Sequence, residues 1–125
     1  MTIIFKLGFW ISLLFTCRVH DPEISEKIID SVEYQESRGN IFVKGNKYCT
    51  GLMQVDYRYT AAPRKSLRIP IINRVVGTRA LRNWKRRAGG NLKLALASYN
   101  CGNAGLEGTC GNGYASAVMA RNIHR

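Results

Sequence analysis

The sequence predicts a small, mainly helical domain, of α+β character where a short β-hairpin forms near residues 41–55. Three observations predict it. Apolar residues recur at helical spacing in separate windows, and these windows are bounded by residues suited to helix starts and stops. The chain has 125 residues, enough for one modest core and not two. Apolar residues make up 46% and charged residues 22%, a globular balance that argues against disorder.

Residues 1–20 are set apart from the domain expected over 21–125. Met1 to Cys17 is an apolar run with one early cation, Lys6, in the manner of an export signal. It is short for a membrane span, which needs about 20 apolar residues. No small-x-small triplet precedes Arg18. A cleaved signal, an uncleaved anchor and lipoprotein processing at Cys17 remain three alternatives. The polar stretch at 18–23 separates this run from the rest of the chain.

The first helix is expected to begin at Asp21-Pro22-Glu23, with Asp21 as the cap, Pro22 in the first helical position and Glu23 at the positive end of the dipole. Ile24, Ile28, Ile29 and Val32 form its apolar stripe. Gly39 is suited to the left-handed stop. Over 40–56, Ile41 to Val43 and Gly51 to Val55 flank a Gly45-Asn46 turn signal. This reads either as a strand pair or as a loop leading into a short helix. Residues 57–70 are basic and loop-like. A long helix is expected over 71–87, burying Ile72, Val75, Val76, Ala80 and Trp84 and exposing Arg74, Arg79, Arg82, Lys85, Arg86 and Arg87 as a solvated face. Gly89-Gly90 ends it. A helix over 91–99, capped by Asn91, is apolar nearly all round and therefore expected at the centre. A Gly-rich loop over 102–113 leads to a last helix, 113–123, carrying Tyr114, Val118 and Met119.

The net charge of +11 is unevenly placed. Residues 1–56 hold six basic and seven acidic side chains; residues 57–125 hold thirteen basic ones and a single acid, Glu107. Such a surface attracts polyanions without choosing among nucleic acid, anionic lipid and the acidic polymers of a bacterial envelope. The cysteines are Cys17, Cys49, Cys101 and Cys110. A Cys101–Cys110 disulfide closing a short loop is the first expectation, with Cys49 bonded to either as the alternatives. Zinc is not expected: there is no C-x-x-C, and His20 and His124 lie at the two ends. No cofactor is expected.

Glu36 is out of place. On a helical projection it lies roughly 33° from the mean direction of Ile28, Ile29 and Val32, whereas Glu33 lies roughly 93° away and points toward solvent. A carboxyl held against apolar groups resists ionisation, which suits a general acid at neutral pH.

Four blocks surround this residue in order: Glu36-Ser37-Arg38-Gly39-Asn40; Gly51-Leu52-Met53-Gln54-Val55; Ala97-Ser98-Tyr99-Asn100-Cys101-Gly102; and Gly113-Tyr114 followed by Val118. Together they resemble the catalytic domain of the soluble lytic transglycosylases, and the likeness covers about residues 24–121. Ile72-Asn73 with Gly77 and Leu81 is similar to that family's intervening helix. The resemblance implies a lysozyme-like fold with a glycan-binding groove, a peptidoglycan strand as substrate, and Glu36 as a single catalytic acid and base. It implies cleavage between N-acetylmuramic acid and N-acetylglucosamine with a 1,6-anhydromuramic end, a lyase-type reaction. Ser37, Met53, Gln54, Tyr99, Asn100 and Tyr114 would contact the glycan or Glu36. The family often carries a proline after the second block; here Asp56-Tyr57-Arg58 stands in that place.

Hydrolytic glycosidases usually place two carboxylates about the bond, and after Glu36 the chain has only Asp56 and Glu107. A hydrolytic muramidase of the same fold is the nearest alternative; a basic polyanion-binding protein is a more distant one. The enzyme is expected to be a bacteriolytic monomer in the periplasm, the envelope or a virion. It would serve a phage, a secretion or conjugation assembly, or wall turnover.

Overall fold

The computed structural model describes residues 19–43 and 45–123. The expectations for residues 1–18, and with them the choice between signal and anchor, lie outside the described residues.

Helix α1 spans Glu26–Ser37. Its cap is Ser25, whose Oγ accepts from the Ile28 amide at 3.3 Å, and not Asp21 as expected. Asp21 does hold two amides, Glu23 at 2.8 Å and Ile24 at 3.1 Å, but as a separate turn. Its other oxygen is taken by Arg82 at 2.5 Å, so the aspartate pins this turn to a distant helix instead of starting its own. The helix stops at Arg38, which adopts the left-handed position (φ 56°) one residue earlier than expected; Gly39 comes next at φ 78°.

The expected hairpin exists but is short and displaced. Strands β1 (Cys49–Thr50) and β2 (Val55–Asp56) pair antiparallel, with Cys49 opposite Asp56 and Thr50 opposite Val55. Residues 41–43 are not a strand. The connection is Gly51 to Gln54, not Gly45-Asn46. Asn46 instead uses its side-chain oxygen to accept from the Tyr48 and Cys49 amides, both at 2.9 Å, and so feeds the chain into β1. Two 3-10 turns come after β2, Tyr57–Tyr59 and Arg64–Arg68, and the second buries Leu67.

Helix α2 (Pro70–Arg87) carries Pro70 at its first position. Its covered face differs from the expected one. Asn73, Gly77, Thr78 and Leu81 are buried, whereas Ile72, Val75, Val76, Ala80 and Trp84 are only half-buried. A buried polar residue is tolerable when its hydrogen bonds are made, and Asn73 makes three. Its oxygen accepts from the Met53 amide at 2.8 Å, and its nitrogen donates to the carbonyls of Thr50 at 2.7 Å and Leu67 at 2.8 Å. One amide thus ties the hairpin, the second 3-10 turn and α2 together. Gly51 (φ 81°) is required at this junction, because a Cβ there would meet the Leu67 carbonyl at 2.8 Å and the Asn73 amide closer still. Gly77 is equally cramped: a Cβ would lie 2.7 Å from the Met53 sulfur.

Helices α3 (Leu92–Cys101), α4 (Asn103–Leu106) and α5 (Asn112–Ile123) complete the chain. Asn91 caps α3 as expected, accepting from the Leu94 amide at 3.0 Å. Ala95, Leu96 and Ala97 are fully covered, and α3 packs against α2, α4 and α5, while α1 packs on α5. The short helix α4 interrupts what the sequence suggests is a loop. Cys101 and Cys110 form a disulfide between the end of α3 and the approach to α5. Cys49 is the free cysteine among the described residues.

The outer face of α2 is not simply solvated. Arg74 pairs with both Asp30, at 3.0 Å, and Glu33, which the sequence places toward solvent. Arg86 pairs with Glu23 at 3.0 Å, and the Lys85 ammonium donates to the Glu23 carbonyl at 2.7 Å. With Arg82 on Asp21, these contacts dock the acidic first segment of the chain onto its basic helix. Among the described residues no helix is long and apolar enough to cross a membrane, and no group of three histidine, cysteine or acidic side chains is arranged to hold a metal ion.

Candidate active site

Glu36 lies in the last turn of α1, half-buried, with its Oε1 accepting from the Tyr114 hydroxyl at 2.7 Å. Among the described residues no cation pairs with it. Its neighbour Arg38 donates instead to the Tyr34 hydroxyl at 2.9 Å and lies over that ring. Burial pushes the Glu36 carboxyl up to about 6, against the opposing effect of the Tyr114 hydrogen bond. Tyr114, on the first turn of α5, is held well above the ordinary phenol range by burial and by the Glu36 charge, so it stays a hydrogen-bond donor. Tyr99, on α3, donates to the Met53 carbonyl at 2.6 Å. Burial, and then the Glu36 charge, raise its pKa also. Helices α1, α3 and α5 therefore bring one carboxyl and two neutral phenols together, and the disulfide ties the two phenol-bearing helices.

A cleft of about 620 Å³ runs beside this group. Its walls include Gln54 and Asp56 from the hairpin, Tyr59 from the first 3-10 turn, Trp84 from α2, and Tyr99 and Asn100 from α3. Glu36 is not among the lining residues. It lies close to the cleft, since Cys49 and Tyr99, which both line it, both feel the Glu36 charge. Burial, then Asp56 and Glu36, raise the pKa of the Cys49 thiol, which stays protonated.

The residues singled out in the sequence divide by placement. Glu36 and Tyr114 meet directly. Gln54, Tyr99 and Asn100 line the cleft, with Asn100 exposed. Gln54 sits in the left-handed region (φ 47°), held by its side-chain nitrogen on the Gly51 carbonyl at 2.9 Å. A non-glycine residue at that angle is uncommon and is typically fixed by its surroundings. Ser37 faces inward: its hydroxyl donates to the Glu33 carbonyl at 3.0 Å and accepts from the Gly39 amide at 3.2 Å, so it finishes the helix that carries Glu36. Met53, expected in the groove, is 0% exposed. Gly77 leaves it room in the core, and only its backbone carbonyl serves the site, as the acceptor for Tyr99.

Sequence reasoning missed the α2 wall of the cleft. Ala80, Asn83, Trp84 and Arg87 all line it. They fall at i, i+3, i+4 and i+7, one helical stripe, so the signal was present. The flanking cations and the aliphatic residues of the other face hid it. Asp56 is the carboxylate that lines the cleft, and both its oxygens are taken by Arg58: Oδ1 by the amide and Nε, Oδ2 by Nη2 at 2.7 Å. That guanidinium holds the Asp56 carboxyl below the usual range.

A half-buried acid with no counter-cation among the described residues, next to a cleft with aromatic walls, suits proton transfer to and from a polar chain. Comparison with protein families gives a match over residues 15–118 to the family described as the transglycosylase SLT domain. No curated protein and no solved structure matches the chain.

Proposed function

The chain belongs to the transglycosylase SLT domain family, a peptidoglycan-acting fold, and from that premise we propose that it cleaves the β-1,4 bond between N-acetylmuramic acid and N-acetylglucosamine, with Glu36 as acid and base. The observation that carries this reading is the state of Glu36: half-buried, without a cation, raised to about 6 and hydrogen-bonded through one oxygen only by Tyr114. A fraction of the carboxyls is then protonated near neutral pH, and Oε2 is left for substrate. The acid donates its proton to the glycosidic oxygen as the bond to the anomeric carbon breaks. Positive charge grows on the sugar ring. The C6 hydroxyl of the same muramyl unit attacks that carbon and gives its proton to the Glu36 carboxylate. Tyr114 stabilises the carboxylate between the two transfers. The products are a 1,6-anhydromuramyl end and a new 4-hydroxyl, and the acid is regenerated.

An internal nucleophile needs no second carboxylate to hold water, because its proximity lowers the barrier. This suits a cleft whose own carboxylate is clamped: Asp56 has both oxygens engaged by Arg58 and is a weak base. Gln54 and Asn100, with Tyr59 and Trp84, would hold the strand. The residues before the domain would export or anchor it, and the enzyme would open the wall locally for a phage, for a secretion or conjugation assembly, or during turnover.

Mass spectrometry of products from purified sacculi tests the proposal with wild type and Glu36→Gln. Anhydro-ended muropeptides from wild type and none from the variant are expected. Reducing ends would mean hydrolysis, and no soluble product from folded, oxidised wild type would overturn the reading.

A further inference from the structure

The three consecutive cations that end α2 have different fates. Lys85 donates to the Glu23 carbonyl and Arg86 pairs with the Glu23 carboxylate, so both are used in docking the first segment. Arg87 goes the other way and lines the cleft. Among the described residues, no carboxylate pairs with it. Its guanidinium nonetheless has a fixed place: it lies over the Trp84 ring, 4.3 Å from the centroid, and its Nη2 donates to Asn103 Oδ1 at 2.9 Å. Trp84 and Asn103 line the same cleft. A guanidinium has five N–H donors in a rigid fork that matches a carboxylate. Only one is committed here, and the stacking and the amide contact remove much of the side-chain entropy that capture of an anion would cost.

We propose that Arg87 reads a carboxylate carried by the muramyl unit of the glycan, and so makes the cleft selective for muramyl-containing strands over uncharged N-acetylglucosamine polymers. The inference rests on the proposed activity. The carboxylate has two sources in that polymer: the peptide stem joined to the lactyl group, or the lactyl carboxylate itself where the stem has been removed. Arg58, the other guanidinium close to the cleft, is bound on both Asp56 oxygens and stacked on Tyr48 at 3.5 Å, and so is not available in the same way.

The test measures wild type, Arg87→Gln and Arg87→Lys against three glycans of matched length: peptide-bearing strands, amidase-stripped strands and chito-oligosaccharide. Binding is measured for all three and cleavage for the first two, and circular dichroism checks that the variants are folded. Wild type is expected to bind muramyl strands about tenfold more tightly than chito-oligosaccharide, the size of one charge-assisted hydrogen bond. Arg87→Gln should lose that preference through KM, with chito-oligosaccharide affinity unchanged. Arg87→Lys should recover part of it, since it keeps the charge but not the fork. A preference limited to peptide-bearing strands assigns the stem carboxylates; one kept on stripped strands assigns the lactyl group. Wild-type discrimination that survives in folded Arg87→Gln, or its absence from wild type that still yields anhydro ends, overturns the role of Arg87 and leaves the activity standing. Failure of wild type to cleave either muramyl strand overturns the activity itself, and this inference with it.

Discussion

Burial of Glu36 has a cost in stability that can be read from its proton. Its folded pKa of about 6 stands above the 4.5 of an unhindered glutamate. A raised carboxyl binds its proton more tightly in the folded state, so it costs nothing below pH 4.5 and destabilises the fold progressively as pH rises through 6. The difference between the two values corresponds to about 2 kcal/mol. Glu36→Gln should therefore be more stable than wild type at about pH 7.5 by up to about 2 kcal/mol, with the gain disappearing near about pH 4, as urea unfolding at the two pH values will show. Equal stability at both would mean that the carboxyl is not strained by burial. With Glu36 as the proposed acid, kcat/KM should fall as pH rises through about 6. In Tyr114→Phe the carboxylate loses the hydrogen bond that favours its charged form. The pKa then climbs and the falling limb of the pH profile should move to higher pH. A limb that does not move would separate Tyr114 from the ionisation of Glu36.

At the scale of the elements, the site depends on junctions more than on any single helix. Asn73 joins α2 to the hairpin and the second 3-10 turn through three buried hydrogen bonds. Asn73→Ala leaves two carbonyls and one amide without partners, and should cost about 3 kcal/mol in urea unfolding. Gly77→Ala forces a Cβ against Met53, including its own Cβ at 2.9 Å, a contact that cannot swing away. It should cost about 1–3 kcal/mol, and because Met53 also offers the carbonyl for Tyr99, activity should fall with it. The Cys101–Cys110 disulfide ties the end of α3, just beyond Tyr99 and Asn100, to the chain leading into α5 and Tyr114. Replacing both cysteines by serine should lower stability by about 2–4 kcal/mol and raise KM, because the two phenols lose their common tether. An unchanged melting temperature in non-reducing buffer would show that helix packing alone holds them.

At the scale of the whole molecule, the uneven charge is partly internal. The acidic segment before residue 57 neutralises one flank of the basic second half, through Arg74 on Asp30 and Glu33, Arg82 on Asp21 and Arg86 on Glu23. Asp21 is nearly covered, its side chain 4% exposed. Burial opposes its charge, but the Glu23 amide, Arg82 and the Ile24 amide outweigh that and lower its pKa. A lowered carboxyl contributes stability that is present above the unfolded value and lost as pH falls through the folded one. Acid unfolding monitored by circular dichroism should therefore set in below about pH 4, and Asp21→Asn should flatten that loss. The cations left over from this docking, Arg87 among them, carry the remaining positive charge of the second half.

The sequence by itself determined the helical class and the family, and it named several residues that the structure brings together: Glu36 with Tyr114, and Gln54, Tyr99 and Asn100 on the cleft. Helical periodicity marks α2, α3 and α5, Asn91 marks the start of α3, and of the expected cysteine pairings it is Cys101–Cys110 that forms. The offset of Glu36 from its neighbouring acid is visible on a helical wheel, but its burial depends on α5, which brings Tyr114 against it, and Glu33 is held by Arg74 and does not face solvent. What tertiary structure decided was which polar residues are inside and which apolar ones border the cleft. Asn73 is not part of the apolar stripe that periodicity picks out on α2, and it is buried because the carbonyls of Thr50 and Leu67, contributed by other elements, satisfy it. Met53 reads as a groove residue until Gly77 opens a place for it in the core. Trp84 and Arg87 read as core and solvent until the hairpin and α3 wall off a cleft between them. Each of these outcomes depends on a partner outside the residue's own element, and a period of 3.6 carries no information about that partner.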